Sequence, residues 1–357
     1  MLQFILTSSG LPFWELQAGP NIPGRSMRRI LLLIFSITGL LAGCQARAGS
    51  LASPSALIPP SETFSPAITA TSTALPSEAP ASTPLPPTPD PREFVVQVRK
   101  VSVWDAPENE KKYWNLLTQL IFGEKVLVVE RQGEWSRIVA VEQPSKKDPL
   151  GYPGWVRSEY LIQGWPTAER YAIVMSPTTE LRAEPEGPLL TSVFLDTRLP
   201  VESVQNDRVQ VRLPDGKTGW LPAGDVRLTD NLSAPIPTDG LFALAQKLVG
   251  VPYWWGGTTA DSFDCSGFLY RLFHAYGINL GRDSGDQALG GEFVARNELK
   301  KGDLIFTSKT EGGPIFHVAM YWGNNTVLDA DTPGVAIRTL AYRLHYEFWI
   351  TARRYLP

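Results

Sequence analysis

The sequence predicts an α+β protein in which two small antiparallel β-barrels precede a domain of helices followed by strands. Short alternating apolar runs, separated by Gly, Asn, Asp and Pro, fill residues 93–229, a pattern typical of small barrels. Beyond Pro237 the apolar spacing changes to a helical period, and strand-like runs follow. The 357 residues are enough for two or three such domains. The net charge of -3 argues against a nucleic-acid-binding surface.

The first 44 residues have the pattern of an export signal. Met27-Arg28-Arg29 is basic, the run 30–41 is apolar, and Leu-Ala-Gly precedes Cys44. Twelve apolar residues fall short of the roughly 20 that a membrane-spanning helix needs, which favours a signal peptide over a spanning helix. The segment resembles the lipobox of bacterial lipoproteins, which implies a diacylglyceryl group on Cys44. Because residues 1–26 have no place in such a signal, Met27 is an alternative start of translation.

Residues 45–92 are predicted to be an extended tether. Eleven prolines lie between positions 51 and 91, among Ser, Thr and Ala. Such a stretch cannot bury enough apolar surface to offset the entropy of ordering it. We therefore expect an exported protein at the bacterial cell envelope, held off the membrane by this linker and anchored through lipid on Cys44.

The two barrels are assigned to residues 93–165 and 166–234. Gly154-Trp155 near the end of the first is matched by Gly219-Trp220 near the end of the second, 65 residues later. Strands are predicted at 95–101, 125–129, 136–141, 201–204 and 209–213. A single larger β-sandwich is the alternative. The repeat resembles bacterial SH3-like domains, in which Gly-Trp near the last strand is common.

The last domain is assigned to residues 235–357. Leu241, Leu244 and Leu248 share one helical face, and Asp239 is a plausible cap for that helix. A second apolar face runs from Phe268 to Tyr276 and predicts another helix that reaches Gly277.

Cys265 lies in the first turn of this second helix, directly after an expected Asp264 N-cap. If Cys44 carries lipid, Cys265 is the remaining thiol of the chain, so no intramolecular disulfide is possible. Unpaired N–H groups at a helix start favour a thiolate, which is the nucleophilic form, although the Asp264 charge opposes it. On position alone, a small buried apolar side chain is an equal alternative.

His317 is the histidine that can act as the base. His274 is nine residues along the same helix, roughly 13 Å away, and His345 has no context that would direct it toward the thiol. His317 starts a predicted hairpin that turns at Gly323-Asn324-Asn325. Asp329, on the returning strand, is an even number of residues away, so both side chains can project from the same face of the hairpin. A carboxylate beside an imidazole orients it and stabilises the imidazolium. Asp331 is the alternative orienting residue.

Five motifs in this domain resemble the NlpC/P60 cell-wall peptidases, whose fold is papain-like. They are Val251-Pro252-Tyr253-Trp254-Trp255-Gly256-Gly257, Phe263-Asp264-Cys265-Ser266-Gly267, Arg282-Asp283-Ser284 with Gln287, Lys301-Gly302-Asp303-Leu304-Ile305-Phe306, and His317-Val318. The resemblance covers about 239–340. It implies thiol hydrolysis of bacterial cell-wall peptides, typically at the γ-D-glutamyl to diamino-acid bond.

The resemblance implies Cys265 as nucleophile, His317 as general base and Asp329 at the third polar position. Many members have a second His there, so this chain departs from the commonest pattern. No metal is implied, because three scattered histidines and one thiol do not make a zinc site. No cofactor is expected.

Two SH3-like domains before the catalytic domain are similar to a subgroup that trims free cell-wall peptides with an unblocked L-Ala amino end. That likeness implies a substrate pocket lined by Tyr253, Trp255, Asp264, Ser266, Asp283 and Ser284, with Glu124 and Tyr152 supplied by the first barrel. Carboxylates suit an ammonium, hydroxyls a carboxylate, and aromatic rings give shape. Two alternatives remain: a non-catalytic cell-wall-binding lipoprotein, and a hydrolase of intact peptidoglycan.

Overall fold

The computed structural model describes residues 90–164, 167–232, 234 and 237–357. The predicted signal with its Cys44 lipid site, the alternative start at Met27 and nearly all of the linker lie outside these residues. In the described part, no helix is long and apolar enough to cross a membrane.

The first barrel is a seven-stranded antiparallel sheet. Its strands are β1 (Glu93–Val96), β2 (Lys100–Trp104), β3 (Leu116–Ile121), β4 (Lys125–Gln132), β5 (Trp135–Ala140), β6 (Tyr152–Arg157) and β7 (Leu161–Gln163), in the order β3-β2-β6-β5-β4-β1-β7. The single strand expected at 95–101 is wrong: the chain turns after Val96, so β1 pairs with β4 and β7 while β2 pairs with β3 and β6. A barrel this small has to bend its chain at the corners.

The second barrel repeats the first. Its strands are β8 (Tyr171–Val174), β9 (Thr178–Arg182), β10 (Leu189–Phe194), β11 (Arg198–Gln205), β12 (Arg208–Arg212), β13 (Thr218–Pro222) and β14 (Val226–Thr229), in the order β10-β9-β13-β12-β11-β8-β14. Strand for strand this is the same order, and Gly154-Trp155 and Gly219-Trp220 lie on the equivalent strands β6 and β13. The chain therefore forms two barrels and not one larger sandwich.

The third domain is a six-stranded antiparallel sheet with helices packed on it. Its elements are α1 (Leu241–Lys247), β15 (Thr258–Thr259), β16 (Ser262–Phe263), α2 (Cys265–His274), α3 (Ser284–Gln287), β17 (Glu292–Phe293), β18 (Leu304–Ser308), β19 (His317–Gly323), β20 (Thr326–Asp331), β21 (Gly334–Thr339), α4 (Leu340–Tyr346) and β22 (Phe348–Arg354). The sheet order is β17-β22-β18-β19-β20-β21. The apolar face of α2 packs on Phe306, Val318 and Met320 to form the main core.

The expected cap of α1 is wrong. Gly240 is the N-cap and has no side chain that could cap the helix, and the N–H of Leu241 donates to the carbonyl of Thr238 at 2.9 Å. The predicted apolar face of α1 is buried in the main core. Helix α2 ends at His274, and the chain leaves it through Gly277, whose φ of +72° is available to glycine at low cost.

A buried ionic network joins the three domains. Arg271 of α2 lies 3.0 Å from Glu124 of the first barrel and 3.2 Å from Asp196 of the second. Asp196 also accepts a bond from Nδ1 of His274 at 2.5 Å, which explains why this histidine is buried far from the thiol. All four side chains are at most 5 % exposed. Since each charge is paired across a domain boundary, the barrels are held in place against α2.

Candidate active site

Helix α2 presents Cys265 at its first position. Asp264 is the N-cap, with extended backbone, and its Oδ1 accepts a bond from the N–H of Gly267 at 2.6 Å. As the first helical residue, Cys265 has an N–H without an acceptor inside the helix. The thiol is partly exposed, so a substrate can reach it.

His317 and Asp329 meet on neighbouring strands, as the parity of the predicted hairpin requires. The hairpin β19–β20 turns through Asn324 and Asn325, both in the left-handed region. Nε2 of His317 lies 3.0 Å from Oδ2 of Asp329. A carboxylate only accepts hydrogen bonds, so Nε2 carries the proton and Nδ1 is left for the hydrogen bond with Cys265. Asp331 instead pairs with Arg343 at 3.0 Å.

Two arginines surround Asp329, and sequence reasoning missed both. Arg338 of β21 donates to Oδ1 and Arg343 of α4 donates to Oδ2. Burial alone would raise the pKa of Asp329, but the bond from His317 and the charges of His317, Arg343 and Arg338 hold it below its usual range. Strand pairing between β20 and β21 places Arg338 one diagonal step from Asp329. The contact with Arg343 depends on how α4 packs against the sheet, and no local pattern in the sequence predicts that packing.

The imidazole of His317 strongly prefers its charged form. Burial lowers its pKa, but the charge of Cys265, together with the bonds to Asp329 and Cys265, outweighs burial and raises the pKa to about 10. A thiol beside an imidazole that a carboxylate orients is the arrangement needed for nucleophilic catalysis by a thiol.

The thiol opens into a pocket of about 330 Å³ between the catalytic domain and the first barrel. This volume is at the small end of ligand sites. Six of the eight predicted substrate-binding residues line it together with Cys265: Tyr152, Trp255, Asp264, Ser266, Asp283 and Ser284. From the first barrel, Trp114 and Lys147 also contribute, and Phe316 closes the side next to His317.

Asp264 and Ser266 line the pocket, but they form hydrogen bonds mainly within the pocket wall and not toward a ligand. Buried Arg282 donates to Asp264 at 2.7 and 3.2 Å and to Oγ of Ser266 at 3.1 Å. Asp264 also accepts from the N–H groups of Gly256 and Gly267. With its oxygens used in this way, Asp264 fixes the start of α2 and the Gly256 loop. Arg282 belongs to the Arg282-Asp283-Ser284 motif, but its partners Asp264 and Ser266 are distant in sequence, so no local pattern predicts its role.

Glu124 does not belong to the pocket, which corrects its predicted role as a partner of the substrate amine. It is buried, it pairs with Arg271, and it accepts bonds from the N–H of Ile121 and from Nε2 of Gln143. These contacts leave it no route to a ligand. Tyr253 is also absent from the pocket wall, but it lies close to the thiol: burial raises its pKa, and the charges of Cys265 and Asp264 raise it further.

Asp283 of the catalytic domain and Tyr152 of the first barrel together form one end of the pocket. The Tyr152 hydroxyl donates to the two oxygens of Asp283 at 3.1 and 3.2 Å. Burial, with the charge of Asp283, raises the pKa of Tyr152, so the phenol stays protonated. Nζ of Lys147 lies 2.9 Å from Asp283 and also donates to the Tyr152 hydroxyl. Sequence reasoning did not single out Lys147.

An aromatic rim borders this pocket. Tyr113 meets the edges of Trp114 and Trp254 at centroid distances of 4.6 and 4.7 Å, and Trp114 meets Trp255 at 5.5 Å. The hydroxyl of Tyr113 accepts a bond from the N–H of Trp255 at 3.2 Å. Rings from both domains therefore hold the first barrel against the loop before α2.

His345 is exposed on α4 and lies against Tyr346. Across the described ranges, no group of three or more His, Cys, Asp or Glu side chains is placed to hold a metal ion.

Comparison with known protein families identifies the catalytic domain and the second barrel. The NlpC/P60 family model matches residues 250–354, and the YKFC SH3b2 domain model matches 174–228. The chain is 33% identical over 264 residues to a gamma-D-glutamyl-L-lysine dipeptidyl-peptidase of Bacillus cereus, which covers 70% of this chain and 79% of that protein. A protein of the same name from Bacillus subtilis is 34% identical over 224 residues, 62% of this chain and 75% of that one.

A solved structure has the same arrangement. A crystal structure of an NlpC/P60 family protein from Bacillus cereus superposes with a TM-score of 0.68 at 29% identity, covering 74% of this chain and all of that one. The predicted resemblance and fold class are confirmed. The chain belongs to the NlpC/P60 family and is a cysteine-type peptidase with SH3-like domains before its catalytic domain.

Proposed function

We propose that this peptidase cleaves the γ-D-glutamyl to diamino-acid bond of cell-wall peptides that begin with an unblocked L-Ala. The observation that carries the proposal is that the thiol of Cys265, hydrogen-bonded to His317, lines a small pocket whose wall also includes the carboxylate of Asp283. The two Bacillus relatives, named for a γ-D-glutamyl-L-lysine bond, support the substrate class.

Acylation begins at the pair of Cys265 and His317. His317 takes the thiol proton, the thiolate attacks the γ-glutamyl carbonyl, and the backbone N–H of Cys265 helps to hold the oxyanion. As the C–N bond breaks, His317 returns the proton to the leaving amine of the diamino acid. A thioester between Cys265 and L-Ala-γ-D-Glu remains. Asp329 acts through His317, because it orients the ring and stabilises its charged form.

Deacylation uses the same groups in reverse. His317 takes a proton from water, the hydroxide attacks the thioester carbonyl, and the thiol leaves with the proton from His317. The products are L-Ala-γ-D-Glu and a peptide that begins with the diamino acid. No step requires a group other than the substrate, water and these side chains.

The first barrel favours a short substrate with a free amine. It closes one end of the pocket with Tyr152, and the carboxylate of Asp283 at that end suits an ammonium. An N-acyl group, or a glycan on the peptide, removes this charge and adds bulk where the barrel stands.

We also propose that the protein is exported and held at the cell envelope through lipid on Cys44.

The test is cleavage of synthetic L-Ala-γ-D-Glu-diaminopimelate and L-Ala-γ-D-Glu-L-Lys peptides, each with a free or an acetylated amino end. We expect cleavage of the free forms, a loss of at least about 10²-fold in kcat/KM on acetylation, and no activity for Cys265→Ala. Asp283→Asn should raise KM for the free forms more than it changes kcat.

Three outcomes would contradict parts of the proposal. Equal cleavage of free and acetylated peptides would overturn the free-amine specificity and favour action on intact peptidoglycan. Activity that survives Cys265→Ala would exclude the thiol mechanism. Failure to cleave any cell-wall peptide, with wall binding retained, would favour a cell-wall-binding role.

A further inference from the structure

The anionic end of the pocket is already occupied by an ammonium group of the chain itself. Nζ of Lys147 lies 2.9 Å from the Asp283 carboxylate, donates to the Tyr152 hydroxyl, and stands 4.1 Å from the centroid of the Tyr152 ring. Carboxylate, hydroxyl and aromatic face are the three contacts that a protein uses to bind an alkylammonium. Lys147 thus makes the contacts that the amino end of the substrate would make.

The backbone around Lys147 is anchored to the catalytic domain, whereas its side chain is held at the ammonium end. In the loop 141–151, the carbonyl of Pro144 accepts a bond from the N–H of Arg282 at 2.9 Å, and the N–H of Lys146 donates to Asp286 at 3.1 Å. The Lys147 side chain is 40% exposed and extends to solvent along a flexible four-carbon stem. Its end can therefore leave Asp283 by a change of rotamer, without any movement of the loop.

Two ammonium groups cannot share this end of the pocket at low cost. The other carboxylate in the pocket wall, Asp264, is neutralised by the buried guanidinium of Arg282 at 2.7 Å. That leaves the single negative charge of Asp283 for both Lys147 and a substrate amine. Like charges in a partly desolvated site repel each other, so binding of one favours departure of the other.

We propose that Lys147 is a specificity-determining residue that competes with the substrate ammonium for Asp283 and Tyr152. This inference rests on the proposed free-amine substrate and adds a competitor built into the first barrel. A substrate with a free amino end regains the contacts with Asp283 that Lys147 gives up. A blocked amino end carries no charge and does not compete with Lys147, so Lys147 raises the KM of the free substrate more than that of the blocked one and narrows the difference between them.

The experiment compares Lys147→Met with the wild type and with Lys217→Met. Methionine keeps the length of the stem and removes the charge. Lys217 is a matched control, because its ammonium pairs with Asp215 at 2.8 Å on the exposed surface of the second barrel. For the free tripeptide, we expect Lys147→Met to lower KM by about tenfold with kcat within about twofold, and Lys217→Met to change neither. The acetylated peptide should gain less than about threefold from Lys147→Met.

Calorimetry gives a second readout that does not depend on turnover. L-Ala-γ-D-Glu should bind the Cys265→Ala, Lys147→Met double variant about tenfold more tightly than Cys265→Ala alone. Tighter binding without cleavage by the wild type would contradict the proposed reaction and leave the competition standing. An unchanged or raised KM, or equal or absent binding in the two variants, would overturn the role of Lys147.

Discussion

Nε2 of His317 and Oδ2 of Asp329 lie 3.0 Å apart, and the same carboxylate accepts bonds from Arg338 and Arg343. Many relatives are expected to have a second imidazole at this position. Here a carboxylate takes its place, and two guanidinium groups balance its charge. The imidazole is therefore oriented by a residue that stays ionised throughout the working pH range.

The pH profile of kcat/KM should have a late alkaline limb. Burial lowers the pKa of His317, but the charge of Cys265 and the bond to Asp329 outweigh it and raise the pKa to about 10, against 6.5 for the free side chain. We expect kcat/KM, which reports the groups of the free enzyme, to hold level up to about pH 9 and then to fall as the imidazolium loses its proton. A pH–rate profile with the free tripeptide checks this. A fall centred near pH 7 would contradict it.

The same shift links pH to stability. Because the pKa of His317 is higher in the folded state than in the unfolded state, protonation of His317 stabilises the fold. This contribution is fully present below about pH 6.5 and is lost as the pH rises through about 10. Urea unfolding of the wild type at a series of pH values should show this loss between those limits. His317→Gln should lose that part of the pH dependence.

Asp329→Asn should lower kcat/KM by about 10²-fold or more, with most of the loss in kcat. The amide can still touch His317, but it no longer stabilises the imidazolium. The pKa of His317 then falls, and the alkaline limb moves to lower pH. A limb that stays in place would show that Asp329 has no electrostatic effect on the ring.

The control for this variant addresses folding. Removing the charge of Asp329 leaves Arg338 and Arg343 without their shared carboxylate. The melting temperature and the circular dichroism spectrum must therefore be measured beside the kinetics. Asp331→Asn is the matched variant: it lies two residues away and contacts Arg343, but it makes no hydrogen bond with His317. We expect it to retain activity.

Arg271→Met should destabilise the protein by about 3–5 kcal/mol. It removes a buried guanidinium that pairs with Glu124 and Asp196, and it leaves those carboxylates without that partner at two domain boundaries. Arg170→Met removes an exposed pair with Asp230, and we expect it to change the stability little, because exposed ion pairs are screened by solvent. Denaturant unfolding of both variants checks the difference. Equal losses would show that the network does not join the domains.

Gly267→Ala should destabilise the protein by about 1–3 kcal/mol and reduce activity. A Cβ there would lie 2.2 Å from the carbonyl oxygen of Gly257 and 2.9 Å from Oδ1 of Asp264, so the start of α2 must move. Alanine improves helix propensity by less than this cost. At Gly224 a Cβ would meet nothing within 4 Å, so Gly224→Ala should leave stability and activity unchanged. Wild-type activity of Gly267→Ala would contradict the prediction.

Local patterns in the sequence were sufficient for much of the fold and for the reacting pair. The cap at Asp264 and the helix after Cys265 depend on neighbours within one turn, so both could be predicted. Strand parity along a tight hairpin was enough to place His317 and Asp329 on one face. The Gly-Trp repeat indicated two barrels, and their identical strand orders agree with it.

Packing between domains decided what local patterns could not. Glu124 looked like a ligand for an amine, yet it pairs with Arg271, 147 residues away in sequence. Lys147 reaches Asp283 only because the first barrel packs against the catalytic domain. The role of a buried charged side chain depends on which opposite charge pairs with it. That partner is brought close by the tertiary structure and not by the local sequence. Sequence alone was therefore sufficient to predict that Cys265 and His317 form a pair, whereas the tertiary structure decided which charges remain available to a substrate.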